Sequence, residues 1–477
     1  MNSFDTIYYD GAWRESVASG RLEVTDPFTE RVIATVPDGG AQDVDAAVRA
    51  AARAFPAWGA APVADRAQLI LRLAAEIEAR ADRFAACITS ENGTPVAESA
   101  YASVQAAAHL RLVAGLGEQV LADGRRANPM TAGWSLVTRS PLGVAGLITP
   151  WNYPLSLIII KLGPALIAGC TVVIKPAPET PLAARLLMDA VDAAGFPPGV
   201  VNLVTGGTEA GRALVEHPAV AKISFTGSTT AGRAIGEACG RLLRPVTLEL
   251  GGKSPGVVLG DADAHVLAAD ILQVAMRNTG HTCQAWTRLI VPASRAKELT
   301  AVVADAVASA PIGDPRDPNT FFGPLVSRRH RDRVRDYIGI GSAEGARAVA
   351  GGGLDSPFAE GFFVQPTVFD RVEPGMRIAQ EEIFGPVLSV LSYDTVEEAV
   401  RIANDSPYGL GGTVFGTDQD AALAVARRID TGNIGINHYG SNAAAPFSGH
   451  KDSGIGTEFG LEGLGSYLSY TSIHFPS

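Results

Sequence analysis

The sequence predicts an α/β fold built on parallel sheets, and three observations carry that expectation. Short apolar runs alternate with stretches of helical spacing, the pattern of strands joined by crossover helices. The alternation occurs before Glu249 and begins again after it, so a second α/β set follows the first. At 477 residues the chain is too long for one ordinary core, which makes two or three domains the starting point.

Taken in order, residues 43–53 and 64–86 are alanine-rich, and Leu69, Leu73, Ile77 and Phe84 recur at helical spacing. Asn92-Gly93-Thr94-Pro95 breaks that run. Strands are expected at 144–148, 171–174, 200–204 and 223–225, with helices near 158–168 and 181–194. After Glu249, residues 257–259 and 287–291 read as strands, and 302–308, 328–339 and 396–403 as helices. The last segment, 466–475, alternates like a strand after Gly460, Gly463 and Gly465.

A composition of 47% hydrophobic and 19% charged residues suits a soluble globular enzyme. The net charge of −11 argues against broad nucleic-acid binding, although local backbone N–H groups can still hold an anionic cofactor. No basic, apolar leader opens the chain, and no run reaches the ~18 apolar residues of a membrane span. The longest candidate, 155–160, is cut off by Lys161 and Gly163. Cys87, Cys170, Cys239 and Cys283 lack metal-ligand spacing, so no metal is expected and a reducing cytoplasm is the natural setting.

Three segments carry chemistry. Leu248-Glu249-Leu250-Gly251-Gly252-Lys253-Ser254-Pro255 sets a carboxylate beside two glycines, and Asn278-Thr279-Gly280-His281-Thr282-Cys283 sets a thiol just after a glycine. A thiol that attacks a carbonyl and a carboxylate that later activates water make a two-step covalent mechanism. Pro150-Trp151-Asn152-Tyr153-Pro154 adds an amide able to hold an oxyanion. Each has a plainer reading when taken singly. Cys283 is then a small buried apolar residue, Glu249 a structural acid and Asn152 a turn residue.

Together with Phe225-Thr226-Gly227-Ser228, Glu381-Glu382-Ile383-Phe384-Gly385-Pro386-Val387 and the stretch from Pro446 to Gly454, these segments stand in one family's order and at plausible spacing. The chain resembles the aldehyde dehydrogenase superfamily nearly end to end. The resemblance implies two Rossmann-like open-sheet domains plus a small β oligomerisation element. The cofactor-binding domain would span 1–119 and 142–250, the catalytic domain 251–452, and the oligomerisation element 120–141 and 453–477.

The resemblance also assigns roles. Cys283 becomes the nucleophile and Glu249 the base that activates the hydrolytic water. Asn152 and the Cys283 backbone N–H hold the oxyanion. Relatives that pass the acyl group to coenzyme A typically lack the acid, so Glu249 points to hydrolysis. The family's usual Gln two places before the cysteine is His281 here.

NAD is the expected cofactor, with NADP the alternative. Gly227, Ser228 and Gly232 match the loop and helix start that approach the pyrophosphate. Lys175 matches the adenosine-ribose contact, Glu382 and Phe384 the nicotinamide ribose and ring, and Trp151 and Leu250 join the same set. Many NAD-preferring relatives carry Glu three places after the lysine. That place is Pro178 here, and the acid comes next at Glu179, with no basic residue in 176–181 to receive a 2′-phosphate.

Tyr153, Leu157, Ile160, Thr282, Gln284, His438 and Asn442 fall where the family's substrate tunnel runs. None is Arg or Lys, which disfavours a dicarboxylic semialdehyde. Tyr153, Leu157 and Ile160 favour an apolar or aromatic one. The expected reaction is oxidation to the carboxylic acid through a cysteine thioester. A coenzyme A-acylating enzyme and a non-catalytic relative are the alternatives. Expected partners are a small aldehyde and further copies of the chain in a homodimer or homotetramer, with the C-terminal strand pairing to a partner's sheet, and neither nucleic acid nor membrane.

Overall fold

The computed structural model describes residues 2–476. Its first sheet has eight strands, in the order Gly454–Ile455, Val246–Glu249, Val220–Thr226, Val144–Ile148, Thr171–Lys175, Val201–Leu203, Thr6–Tyr9 and Ala12–Glu15. The five strands from Val246–Glu249 to Val201–Leu203 run parallel. Side chains alternate across such a sheet, and both faces here are covered. Ala145, Leu147, Val172 and Ile174 enter one core, with helices Ser156–Ala168 and Leu182–Ala194. Val144, Ile148, Val173 and Ile223 enter the core on the other face.

The apolar run 64–86 forms two helices rather than one, Val63–Glu78 and Ala81–Asn92. Arg80 leaves helical geometry at the break, and its N–H reaches back only to Ile77 O. The bend lets both helices pack on the long helix Val96–Leu121. Gly93, at φ +82°, ends the second helix where the sequence predicts a break. A Cβ there would meet Pro324 and Pro27 side chains at 2.8 and 2.9 Å.

The second sheet orders seven strands as Arg347–Ala350, Thr367–Asp370, Val387–Tyr393, Arg288–Pro292, Pro255–Val258, Thr413–Phe415 and Gly435–Ile436. All neighbours pair in parallel except the edge strand Arg347–Ala350. Residues 250–254 carry the chain from the first sheet to the second, and residues 437–453 return it to Gly454–Ile455 in the first.

A separate three-stranded sheet holds Leu468–Phe475, Trp134–Pro141 and Gly124–Ala127. Within the chain the C-terminal strand is an edge strand of this sheet, so the expectation that it lacks a sheet of its own subunit to join does not hold, while its outer edge is open. All eight of its residues pair antiparallel with Trp134–Pro141 of the same chain. Alternation identifies a strand but not the chain that supplies its neighbour. Residues 453–465 also lie apart from this sheet. Gly454–Ile455 borders Leu248 and Glu249, and helix Gly460–Gly465 packs on helices Val96–Leu121 and Ser156–Ala168. Ser453 anchors that course, its backbone O accepting from Leu250 N and its hydroxyl donating to Gly251 O.

Candidate active site

Glu249 closes the last interior strand of the first sheet, and its carboxyl faces the Cys283 thiol. The segment that delivers Cys283 is held in unusual backbone geometry. Asn278 and Thr279 are left-handed, at φ 50° and 55°, a conformation that side chains other than glycine adopt only when neighbours enforce it. Asn278 Nδ2 donates to Asn152 O at 2.8 Å, and its Oδ1 accepts from the Thr94 hydroxyl at 2.9 Å. Thr279 Oγ1 accepts from Gly323 N at 3.0 Å. Gly280, at φ +77°, passes so close that a Cβ would sit 2.2 Å from Gly385 C.

Burial pushes the Glu249 carboxyl up to about 8; Glu458 adds to the rise and Lys161 opposes it. Its Oε1 has no nitrogen or oxygen partner. Burial, and then the Glu249 charge, push the Cys283 thiol well above its usual range, while the Gln284 backbone N–H works in the opposite direction. The resting pair is therefore a thiol beside a carboxyl poised to lose its proton near neutral pH.

Asn152 is buried against the segment that carries Cys283. One N–H of its amide donates to His281 O at 2.9 Å, and its own backbone O accepts from Asn92 and Asn278. A primary amide carries two N–H groups, so one remains for a developing oxyanion. The His281 ring packs against Trp151, His330 and Phe384, with centroids at 4.8, 5.3 and 6.0 Å. Burial, with His330 beside it, lowers its pKa well below the usual histidine range, so the ring is neutral.

The residues matched to the cofactor form a cradle that requires its glycines. A Cβ on Gly227 would lie 2.5 Å from the Phe225 ring, and one on Gly232 would lie 2.4 Å from the Leu250 side chain. Ser228 caps helix Thr229–Arg241 through Ala231 N, so the helix's positive N-terminal end opens beside this bare backbone. Leu250 is buried under that helix start. Lys175 Nζ donates to Pro176 O and Gly206 O at 2.8 and 2.7 Å, and burial lowers it to about 8 against the pull of Glu179 and Asp38. Glu179 is exposed and Pro178 half-buried.

The paired acids of 381–382 separate. Glu381 binds Arg377 and Tyr337, whereas Glu382 turns inward and accepts from Gly252 N at 3.0 Å. Phe384 is left-handed at φ 64°, and its carbonyl accepts from His330 Nε2 at 2.6 Å. Trp151 stands edge-on to Phe384 at 5.3 Å. A glycine backbone at a helix N-terminus, a hydrogen-bonded lysine and an inward carboxyl group fit a dinucleotide.

On the substrate side, the Tyr153 hydroxyl and Thr282 Oγ1 share a 2.8 Å hydrogen bond. Gln284 donates to Ser441 at 3.1 Å. His438 Nδ1 meets the buried Asp270 carboxylate at 2.5 Å, and Asn442 is exposed, its side chain accepting from Ala444 N. Leu157 is half-buried. Ile160 lines an internal gap with Glu458 and Tyr467, separate from the cleft that Asn152 and Tyr153 border.

Several neighbours were missed from sequence. Lys161 is buried, donating to Thr226 Oγ1 at 2.7 Å and pairing with Glu458. Asp270 and His330 stand behind His438 and Phe384. The available signal for Lys161 was a lone charge inside an apolar helix, which is rare without a buried partner. Among the described residues, no helix is long and apolar enough to cross a membrane, and no group of three or more His, Cys, Asp or Glu could hold a metal.

The model of the aldehyde dehydrogenase family matches residues 13–473. A geranial dehydrogenase of Castellaniella defragrans is 45% identical over 98% of both chains. A 3-succinoylsemialdehyde-pyridine dehydrogenase of a Pseudomonas species is 39% identical over 99% of both. The crystal structure of a Mycobacterium tuberculosis aldehyde dehydrogenase complexed with NAD+ superposes with a TM-score of 0.96 at 40% identity, covering 100% of this chain and 99% of that one. A Pseudomonas syringae aldehyde dehydrogenase C variant, complexed with NAD+ and octanal, gives 0.94 at 40% identity, covering 98% and 96%. The alternating sheets, the glycine cradle and these matches along nearly the whole chain lead to one assignment: the protein belongs to the aldehyde dehydrogenase family.

Proposed function

We propose that the protein oxidises an apolar or aromatic aldehyde to its carboxylic acid with NAD, through a thioester on Cys283. The observation that carries the reading is the Cys283 thiol set against the Glu249 carboxyl, with an uncommitted Asn152 N–H beside them. Cys283 Sγ, once deprotonated, adds to the carbonyl carbon. The oxygen takes the electron pair and is held by Asn152 Nδ2 and the Cys283 backbone N–H. NAD supplies the hydride acceptor that turns this adduct into a thioester. Glu249 then takes a proton from water, the hydroxide adds to the thioester carbon, and the C–S bond breaks to release the acid and the thiolate.

NAD is favoured over NADP because Glu179 and Asp38 both act on Lys175, and their charge would repel a 2′-phosphate. The NAD+ complexes of the Mycobacterium and Pseudomonas syringae relatives support this choice, and geranial and octanal in relatives support an apolar aldehyde. Four free cysteines suit a reducing cytoplasm. A homodimer or homotetramer is supported by the small sheet, whose Tyr470, Ile473 and Phe475 lie open to solvent.

A panel of aldehydes with NAD, with and without coenzyme A, tests the reading. NADH and free acid should form without coenzyme A. A requirement for coenzyme A would select the acylating alternative, and no turnover the non-catalytic one. Cys283→Ala should lower turnover at least a thousandfold, on the order seen when nucleophiles are removed. Residual activity of several per cent would remove Cys283 from the role.

A further inference from the structure

The structure places a cation near the reacting centre that no reading of the tunnel anticipated. Arg277 opens the short turn Arg277–Gly280 on the approach to Cys283, and Glu98 lies in the first turn of helix Val96–Leu121. Arg277 Nε donates to Glu98 Oε1 at 2.7 Å, and Nη2 reaches the same oxygen at 2.6 Å. Among the described residues, Glu98 is the one carboxylate within ion-pair distance of Arg277. Glu98 also lines a narrow cleft with Thr94, Ala102, Gln105, Asn152 and Tyr153. Thr282 Oγ1 donates to Arg277 O at 3.3 Å and shares its other bond with the Tyr153 hydroxyl. One hydrogen-bonded wall therefore runs from the nucleophile's neighbour to the ion pair.

An arginine edge made of Nε and Nη2 is the fork that grips a carboxylate through two parallel bonds. Glu98 occupies that edge. An aldehyde carrying a second, anionic carboxylate therefore meets a fork already taken and a repelling charge on the cleft wall.

We propose that the Glu98–Arg277 ion pair sets a preference for uncharged aldehydes, with Glu98 the specificity-determining residue. This deepens the function proposed above and rests on it. Removing the Glu98 charge while keeping its shape opens the Arg277 fork to a substrate carboxylate.

The test compares hexanal with adipate semialdehyde, six-carbon aldehydes that differ at the far end, using the full-length enzyme and NAD. In Glu98→Gln the ratio of kcat/KM for adipate semialdehyde over hexanal should rise about tenfold or more, chiefly through KM, because a like charge is removed and a fork freed. Adding Arg277→Met to that variant should take back the part of the rise that the fork supplies. A ratio unmoved in Glu98→Gln overturns the proposal, as does a rise that Arg277→Met leaves undiminished. Loss of turnover with both aldehydes in Glu98→Gln overturns it too, since the pair would then build the site rather than tune it. Wild type that oxidises neither aldehyde would instead sink the reaction reading itself and carry this inference down with it.

Discussion

The Asn152 amide donates to the backbone carbonyl of His281 at 2.9 Å, which joins the proposed oxyanion donor directly to the segment that carries the proposed nucleophile. The donor's position is thus fixed by Cys283's own neighbour, two residues away, before any aldehyde arrives. Preorganised donors of this kind stabilise charge without rearranging.

Asn152→Ala should therefore lower kcat by about a hundredfold to a thousandfold, the usual effect of losing one oxyanion donor. Asn152→Asp keeps the shape but removes both N–H groups, and should be at least as slow. Steady-state rates of both variants check this. A kcat within threefold of wild type in Asn152→Ala would take the amide out of the mechanism.

Burial raises the Glu249 pKa to about 8, and the proposed base is its deprotonated form. Thioester hydrolysis should therefore climb with pH, roughly tenfold per unit below that value, and level off above it. In Glu249→Gln the climb should vanish, and rapid mixing should show a burst of NADH followed by slow turnover. An unchanged pH profile in the variant would show that another group activates the water.

Cofactor choice can be read from one exposed acid. Wild type should favour NAD over NADP by a modest factor, and Glu179→Gln should narrow the gap by weakening the repulsion near Lys175. The measurement is kcat/KM for both cofactors in both proteins. Wild type preferring NADP would reverse the assignment.

The small sheet gives a prediction about assembly. One edge of Leu468–Phe475 is paired with Trp134–Pro141, which leaves its outer edge and the exposed Tyr470, Ile473 and Phe475 side chains as the surface for a partner chain. Light scattering at micromolar concentration should report a dimer or tetramer, and Tyr470→Glu with Ile473→Glu should shift it toward monomer. A monomeric wild type would refute this.

What could be read from sequence followed the range of the physics involved. Val144–Ile148 and Thr171–Lys175 were legible because strands buried on both faces are written as unbroken apolar runs. The family's strings marked Cys283, Glu249 and Asn152. Relationships between distant side chains were not legible. Arg277 and Glu98 are 179 positions apart, and Lys161 and Glu458 are 297 apart. No local pattern records such pairings, because only the folded chain brings the charges together. The direction of the His281 ring was equally silent, since it depends on Trp151, His330 and Phe384 closing around it.

The chain crosses from one sheet to the other through residues 250–254, with Glu249 on the near bank and Cys283 set against the far one. The later part of the chain then returns to lay Gly454–Ile455 beside Leu248 and Glu249. A chimaera that takes residues up to 250 from one relative and the remainder from another inherits the proposed base from one parent and the proposed nucleophile from the other. Its turnover would then measure how well two foreign halves mate, which makes this junction a sensitive place to graft and a poor place to cut.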